Sequence, residues 1–178
     1  MLVLIKGAGD LATGAAVRLY RAGIPVVMTE VAQPTAVRRT VAFSQCMYDG
    51  AAQVEGISAR RAEDAGAARR ALERGEVPVL CDPAAAILGE LPFDGVVDAI
   101  LAKRNLGTAI TDAPVVLALG PGFTAGVDCH GVVETMRGHN LGRLLTQGSA
   151  APNTGVPGDV GGYTTQRIIR APADGAFE

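Results

Sequence analysis

The chain has 178 residues and a formal net charge of −2, and it contains only 4% aromatic residues and no tryptophan. It therefore offers neither the basic surface nor the aromatic stacking platforms that nucleic-acid binding requires. No apolar run reaches the roughly 18–20 residues of a membrane-spanning helix, and the amino terminus does not resemble a secretory signal. We predict a protein without nucleic-acid or membrane partners.

The three cysteines, Cys46, Cys81 and Cys129, are widely spaced and form no C-x-x-C pair. An odd number of isolated cysteines favours reduced thiols over a disulfide framework or a structural zinc site. We therefore expect a cytoplasmic protein.

A glycine-rich turn follows the first predicted strand. Residues 2–5 form an unbroken apolar run, which is typical of a strand buried on both faces of a parallel sheet. The next residues read Gly7-Ala8-Gly9-Asp10-Leu11-Ala12-Thr13-Gly14. They fit the pattern G-x-G-x-x-G/A, in which Gly7 permits a tight turn, Gly9 lets a pyrophosphate approach the backbone and Ala12 allows close helix packing. We predict that this turn and the helix start behind it bind a phosphate-bearing ligand, although a purely structural turn would show the same pattern.

The second predicted strand ends in Glu30, roughly 20 residues after the turn, where an acidic residue would accept hydrogen bonds from ribose hydroxyls. A solvated glutamate is the alternative. The segment that follows predicts a short helix with Pro34 near its first turn. Arg38 and Arg39 in this segment could contact a phosphate or simply be solvated.

Further along the chain, residues 59–74 are rich in Ala, Arg and Glu and predict a helix. The apolar run at residues 77–81 predicts a strand that we place beside the first one, where the strand order of the sheet reverses. Cys81 would then lie near the glycine turn and could act as a nucleophile. The alternative is a small residue at a strand end.

Two polar segments follow later strands at the same carboxyl edge of the predicted sheet. Lys103, Arg104 and Asn105 supply cations and an amide for an anionic ligand, and Gly120, Gly122 and Thr124 belong to a second glycine turn that could form an anion-binding nest. We expect both segments to share one cleft with the first glycine turn. A solvated loop and a tight structural turn are the alternatives.

The last part of the chain has a different character. Residues 127–135 alternate like a half-exposed strand that places Asp128, His130 and Glu134 on one face, and residues 137–140 predict a hairpin turn. His130 and Glu134 could form an acid–base pair, or all three could be the polar face of a ribbon. His139 could join Asp128 and His130 around a metal, but we predict no metal site because no recognised ligand spacing is present.

These elements predict an α/β fold with a doubly wound, Rossmann-like parallel sheet and a β-rich C-terminal extension. We place a nucleotide- or cofactor-binding domain in residues 1–126 and a β-ribbon and loop extension in residues 127–178.

With these motifs in place, the chain resembles the YqeB family of accessory proteins of the selenium-dependent molybdenum hydroxylase system. The matching segments are residues 6–14, 38–43, 98–108, 120–126, 134–135, 137–139, 152–155 and 171–175. The resemblance implies a maturation factor that handles the molybdenum cofactor and has a molybdenum hydroxylase as its partner. It also implies a small β domain like those of biotinyl and lipoyl carriers after residue 175, so this chain would either be trimmed before that domain or lack it.

Three functions are therefore open at this point. The first is a maturation factor that binds a phosphate-bearing nucleotide or a molybdopterin-type cofactor. The second is an NAD-dependent oxidoreductase that uses the same turn, Glu30, and an acid–base group from His130, Glu134 or His139. The third is a non-catalytic Rossmann module that docks a partner protein.

Overall fold

The computed structural model describes residues 1–156, 158–169, 172, 173 and 175. The strands are β1 (Val3–Lys6), β2 (Val26–Glu30), β3 (Ala51–Val54), β4 (Ile57–Ala62), β5 (Val77–Cys81), β6 (Gly95–Asp98), β7 (Val115–Leu119), β8 (Gly131–Val133) and β9 (Leu144–Leu145). The α-helices are α1 (Asp10–Arg21), α2 (Cys46–Asp49) and α3 (Ala65–Glu73). Short 3-10 turns occupy Arg39–Val41, Phe43–Gln45, Ala86–Gly89 and Thr165–Arg167.

All nine strands join one open sheet in the order β3-β4-β5-β2-β1-β6-β7-β8-β9. Every neighbouring pair from β4 to β8 is parallel, whereas β3 and β9 pair antiparallel at the two edges. The central strand β1 is buried along its whole length, because both of its faces are covered by other elements. The predicted α/β, Rossmann-like fold is confirmed.

Helices cover both faces of the sheet. On one face, α1 buries Ala12 and Ala16 against Ile5 of β1. On the other face, α3 buries Ala65 and Ala68 in a cluster that also contains Leu4 and Leu80. The small alanines let each helix approach the sheet closely, so the sheet is doubly wound as predicted.

The predicted neighbour of β1 is wrong. The strand that ends in Cys81 pairs with β2 and β4, whereas β6 lies beside β1 with Lys6 opposite Asp98. From β1 the chain passes to β2, then to the β3–β4 hairpin at the sheet edge, and then back to β5 between that hairpin and β2; it crosses to the other side of β1 only at β6. The β3–β4 hairpin lies between β2 and β5 in the sequence. For this reason the order of strands along the chain did not reveal which strand crosses to the other side of β1.

The predicted helix over residues 59–74 is also too long. Its first part belongs to β4, in which Ile57, Ala59 and Ala62 are buried. The helix begins after Asp64, whose side chain caps it by accepting a hydrogen bond from the Ala67 amide at 2.6 Å. This cap fixes the start of α3.

The predicted C-terminal hairpin is present as β8 and β9. Because β8 pairs with β7, a single sheet runs past residue 126, and the domain boundary at that residue stays a prediction. Part of the predicted extension lies outside the described residues, namely residues 157, 170, 171, 174 and 176–178. These include part of the matching segment 171–175. In the part that is described, no helix combines the length and the apolar character needed to cross a membrane.

Candidate functional site

A cleft of about 530 Å³ opens at the carboxyl edge of β1, β2 and β6. We call it the glycine-turn cleft. Its walls are Gly7, Gly9, Asp10, Leu11 and Ala12 of the turn, Glu30 and Val31, residues 35–38, and residues 99–101. Its volume lies within the range of roughly 300–1,000 Å³ that is usual for small-molecule sites. The structure thus brings the predicted turn and Glu30 together at the predicted place.

The glycines of the turn have separate roles. Gly7 has φ +93°, and a Cβ added there would lie 3.0 Å from the Ala99 carbonyl oxygen, so a side chain would collide with the segment after β6. Gly9 has an ordinary backbone conformation, and a Cβ added there would meet no atom within 4 Å. Ala12 is fully buried against the sheet. Gly7 and Ala12 are therefore required by packing, whereas the space beside Gly9 is open.

Two carboxylates of the protein occupy part of the turn. The Ala8 amide donates to Oε2 of Glu30 at 2.9 Å, and the Leu11 amide donates to Oδ1 of Asp10 at 2.9 Å. Within the described residues, the amides of Gly9, Asp10 and Ala12 have no hydrogen-bond partner. The turn therefore keeps part of its predicted donors for a ligand and uses the rest internally.

Glu30 and Asp10 differ in what they leave available. The second oxygen of Glu30 accepts from the Val31 amide at 2.8 Å, but each carboxylate oxygen has two lone pairs, so Glu30 can still accept a hydroxyl. Asp10 forms an ion pair with Arg38, and its charge stands at the first turn of α1, where a ligand anion would be attracted. Asp10 therefore competes with a phosphate at this position.

Gly14 is not part of this cleft. It is exposed within α1 and lines a separate groove of about 470 Å³ with Arg18 and Arg21. The predicted ligand contact of Gly14 is thus not supported by its position.

Cys81 lies one strand beyond Glu30, since the two residues are register partners in β5 and β2. Its side chain is exposed and does not line the glycine-turn cleft. The other two cysteines are buried. Burial raises the pKa of Cys46 to about 12 and also raises the pKa of Cys129. Cys81 is therefore the accessible thiol of the three.

Behind the cleft lies a buried chain of hydrogen-bonded side chains that was not predicted from the sequence. Nζ of Lys6 donates to Oγ1 of Thr108 at 2.6 Å, and that hydroxyl donates to Oδ2 of Asp98 at 2.6 Å. All three residues are at most 3% exposed. These hydrogen bonds join the end of β1 to the end of β6. The one feature of the sequence that indicates them is a lysine at the end of an otherwise apolar strand.

Lys103 and the second glycine turn belong to a different opening. Lys103 and Pro121 line a cleft of about 480 Å³ together with Thr135, Arg137 and residues of the 151–156 loop. We call it the hairpin cleft because the β8–β9 hairpin forms one wall. The single cleft expected from the sequence is thus two clefts along one edge of the sheet.

The glycines of the second turn hold its neighbours in place. A Cβ on Gly122 would lie 2.5 Å from the Arg104 amide nitrogen, and a Cβ on Gly120 would lie 2.8 Å from Oγ1 of Thr135. The turn therefore packs directly against the segment after β6 and the segment after β8. The turn's amides were the predicted nest, but its glycines are explained by these close approaches.

Asn105 and Thr124 have structural contacts. Oδ1 of Asn105 accepts from the amides of Gly107 and Thr108 at 2.9 and 2.8 Å, which shapes the loop that carries Thr108. The Thr124 amide donates to Oδ2 of Asp128 at 2.7 Å. Arg104 is exposed and lines neither cleft.

His130 and Glu134 lie at opposite ends of β8. Nδ1 of His130 accepts from the Val116 amide at 3.0 Å, near the start of β7 and therefore at the amino edge of the sheet. Glu134 follows the carboxyl end of β8, where its oxygens accept from the amides of Met136 at 2.7 Å and Ala151 at 2.8 Å. These bonds, that from Ala151 first, hold the pKa of Glu134 below its usual range. The structure does not bring the two together as an acid–base pair.

In the described part of the chain, no group of three or more His, Cys, Asp or Glu side chains could hold a metal ion. The same is true of Asp128, His130 and His139.

Comparison with known proteins gives one relationship. No family model and no solved structure matches the chain. A protein of Escherichia coli (strain K12) named "Uncharacterized protein YqeB" is 58% identical over 174 residues, which are 98% of this chain and 32% of that protein. The chain thus spans about a third of the length of the curated relative it matches. The matched region covers nearly the whole of this chain, and the chain belongs to the YqeB family.

Proposed function

We propose that this protein is an accessory, maturation-type factor for a selenium-dependent molybdenum hydroxylase and that it binds a phosphate-bearing ligand in the glycine-turn cleft. The ligand would be a nucleotide or a molybdopterin-type cofactor. The hydroxylase role comes from the family resemblance alone. The ligand class is argued from the geometry, and the three free thiols favour the reducing conditions of the cytoplasm as the place of action.

The observation that carries the ligand class is the open space beside Gly9. A Cβ added there meets nothing within 4 Å, although Gly9 is the residue immediately before α1. The amides of Gly9 and Asp10 form no hydrogen bond within the described residues, and both residues are partly exposed and line the cleft. A phosphate at this position would accept hydrogen bonds from those amides at the positive end of the helix.

The other walls fit the remainder of such a ligand. Glu30 keeps acceptor capacity for ribose hydroxyls, and Arg38 lines the cleft as a cation that could leave Asp10 for a phosphate. These donors and acceptors suit the phosphate and sugar parts of a dinucleotide or of a molybdopterin dinucleotide.

Calorimetric titration tests the proposal. Each of four probes should be titrated into the wild-type chain and into the variants Gly9→Asp and Gly89→Asp. The probes are NADH, ADP, cytidine diphosphate and isolated molybdopterin cofactor. Gly89 is the matched control because it also has an ordinary φ and no atom within 4 Å of an added Cβ. We expect submillimolar binding of at least one probe, a loss of about tenfold or more in Gly9→Asp, since 1.4 kcal/mol is tenfold, and no change in Gly89→Asp.

Absence of binding by all four probes at millimolar concentration would overturn the ligand proposal. If a molybdenum hydroxylase were nevertheless retained equally by wild type and Gly9→Asp in a pull-down, the fold would act as a docking module. If NADH alone bound and its fluorescence were enhanced, the oxidoreductase hypothesis would replace the maturation role.

A further inference from the structure

We infer that the hairpin cleft is a second ligand site, separate from the glycine-turn cleft, and that it binds a phosphate-class oxyanion, either free or as a phosphate monoester. The walls of the cleft come from the carboxyl ends of three successive parallel strands. Lys103 follows β6, Pro121 follows β7, and Thr135 and Arg137 follow β8. Crevices outside the carboxyl ends of parallel strands are where α/β sheets bind their ligands.

The charge of the cleft is of one sign. Lys103 and Arg137 line it, and among the described residues no aspartate or glutamate does. The glycine-turn cleft differs, because Asp10 and Glu30 line it beside Arg38. A multiply charged anion is therefore attracted more strongly to the hairpin cleft.

The polar side chains of the cleft are not used internally. Four of the polar side chains that line the cleft are those of Lys103, Arg137, Thr135 and Asn153. Among the residues that the structure describes, none of these four forms a hydrogen bond or an ion pair. They offer an ammonium, a guanidinium, a hydroxyl and an amide around about 480 Å³ of space. A tetrahedral oxyanion can accept hydrogen bonds from all four kinds of donor, and a guanidinium can bind it through two parallel bonds.

The walls are fixed by buried contacts. Glu134 is 7% exposed and ties the 135–136 segment to the 151–156 loop through the amides of Met136 and Ala151. On the opposite wall, Lys103 has φ +61°, a left-handed conformation that a non-glycine residue keeps only where its surroundings impose it. Gly122 packs against its carbonyl carbon and the next amide. The cations are therefore held on a defined frame.

Nitrogen-15 NMR titration with inorganic phosphate tests the site, and glycerol 3-phosphate and sulfate serve as parallel probes. We expect saturable chemical-shift changes at the amides of residues 103, 135–137 and 153, separate from any that inorganic phosphate causes at the glycine turn. Tighter binding of glycerol 3-phosphate than of phosphate would identify a monoester as the ligand, and the reverse order would identify a free oxyanion. Either order supports the site.

Four variants make the test specific. Arg137→Gln and Lys103→Gln should each weaken phosphate binding about tenfold, as expected for a charge-assisted hydrogen bond. Arg143→Gln makes the same charge change on the same hairpin outside the cleft, and it should change the affinity less than twofold. Gly9→Asp should leave phosphate binding unchanged, which separates this site from the proposed function.

The inference fails if no saturable shift occurs with any probe at about 10 mM, a concentration at which even millimolar affinity is visible. It also fails if Arg143→Gln weakens binding as much as Arg137→Gln does, because the attraction would then be a general surface effect. Loss of binding in Gly9→Asp would assign the oxyanion to the glycine-turn cleft instead.

Discussion

Oε2 of Glu30 accepts a hydrogen bond from the Ala8 amide at 2.9 Å. The carboxylate at the end of β2 thus holds the turn at the end of β1, and its other oxygen holds the Val31 amide. The residue predicted to contact a ribose therefore shapes the wall of the cleft, and its removal should change the stability of the fold.

Glu30→Ala should reduce the free energy of unfolding by about 1–2 kcal/mol, because two amides lose their acceptor. Urea denaturation measures this change. Glu90→Ala is the control, since Glu90 is exposed and its side chain forms no hydrogen bond within the described residues. Equal effects of the two substitutions would show that the Glu30 contacts are not stabilising.

Asp10→Asn should strengthen binding of a nucleotide phosphate in the glycine-turn cleft about fivefold, since it removes a like charge worth roughly 1 kcal/mol beside the helix start. Calorimetric titration with whichever of the four probes binds the wild-type chain measures this gain in affinity. Glu73→Gln makes the same change in net charge on an exposed position of α3 and should have no effect. A weaker affinity in Asp10→Asn would instead make Asp10 a ligand contact.

Thr108→Val should lower the free energy of unfolding by about 3 kcal/mol, because it removes the hydroxyl that links Lys6 to Asp98 and leaves two buried polar groups without this partner. The substitution keeps the side-chain volume. Thr111→Val, on an exposed neighbour, should change stability by less than about 0.5 kcal/mol. Similar denaturation midpoints for the two variants would contradict the importance of the buried chain.

Glu134→Gln should loosen the hairpin cleft in a pH-dependent way. The pKa of Glu134 is lowered by the amides of Ala151 and Met136, so its ionised form stabilises the fold. This contribution is complete above the unfolded-state pKa of about 4.3 and is lost as the pH falls through the lower folded-state pKa.

Hydrogen exchange of the Met136 and Ala151 amides should therefore be faster in Glu134→Gln than in wild type at pH 7, and the difference should shrink as the pH falls below the unfolded-state pKa of about 4.3. Glu90→Gln is the charge control. A difference that did not depend on pH would mean that side-chain shape, not charge, holds the loops.

A thiol reagent such as Ellman's reagent should modify Cys81 first in the native protein, because Cys46 and Cys129 are buried and burial raises the pKa of both thiols. Cys81→Ser should abolish the fast phase, and Cys46→Ser should leave it intact. A fast phase that persisted in Cys81→Ser would show that a buried cysteine becomes exposed in solution.

Local patterns predicted the unit of β1, the glycine turn, α1 and β2 well. The apolar run of β1, the glycine turn and Glu30 lie within the first 30 residues, and each has a conformational reason that acts over a few residues. The position of Cys81 depended on which strand pairs with β1, and that choice is made by long-range packing. The β3–β4 hairpin lies between β2 and β5 in the chain but at the edge of the sheet, and long-range packing brings β5 back beside β2.

The division into two clefts could not be predicted for a similar reason. The segments after β6 and β7 cross the sheet as loops, and a loop's path is set by contacts such as that of Gly122 with Arg104. The sequence identified Lys103 as a candidate for anion binding. It could not show that Arg137, 34 positions later in the numbering, would line the same space.

Leu101 lines the glycine-turn cleft and Lys103 lines the hairpin cleft, and both have left-handed φ values of +60° and +61°. One short peptide therefore contributes to the walls of both clefts. If a ligand in one cleft shifts this peptide and thereby changes the affinity of the other cleft, thermodynamic linkage makes the factor identical in both directions. Titrating phosphate in the presence and absence of a saturating nucleotide would measure that factor.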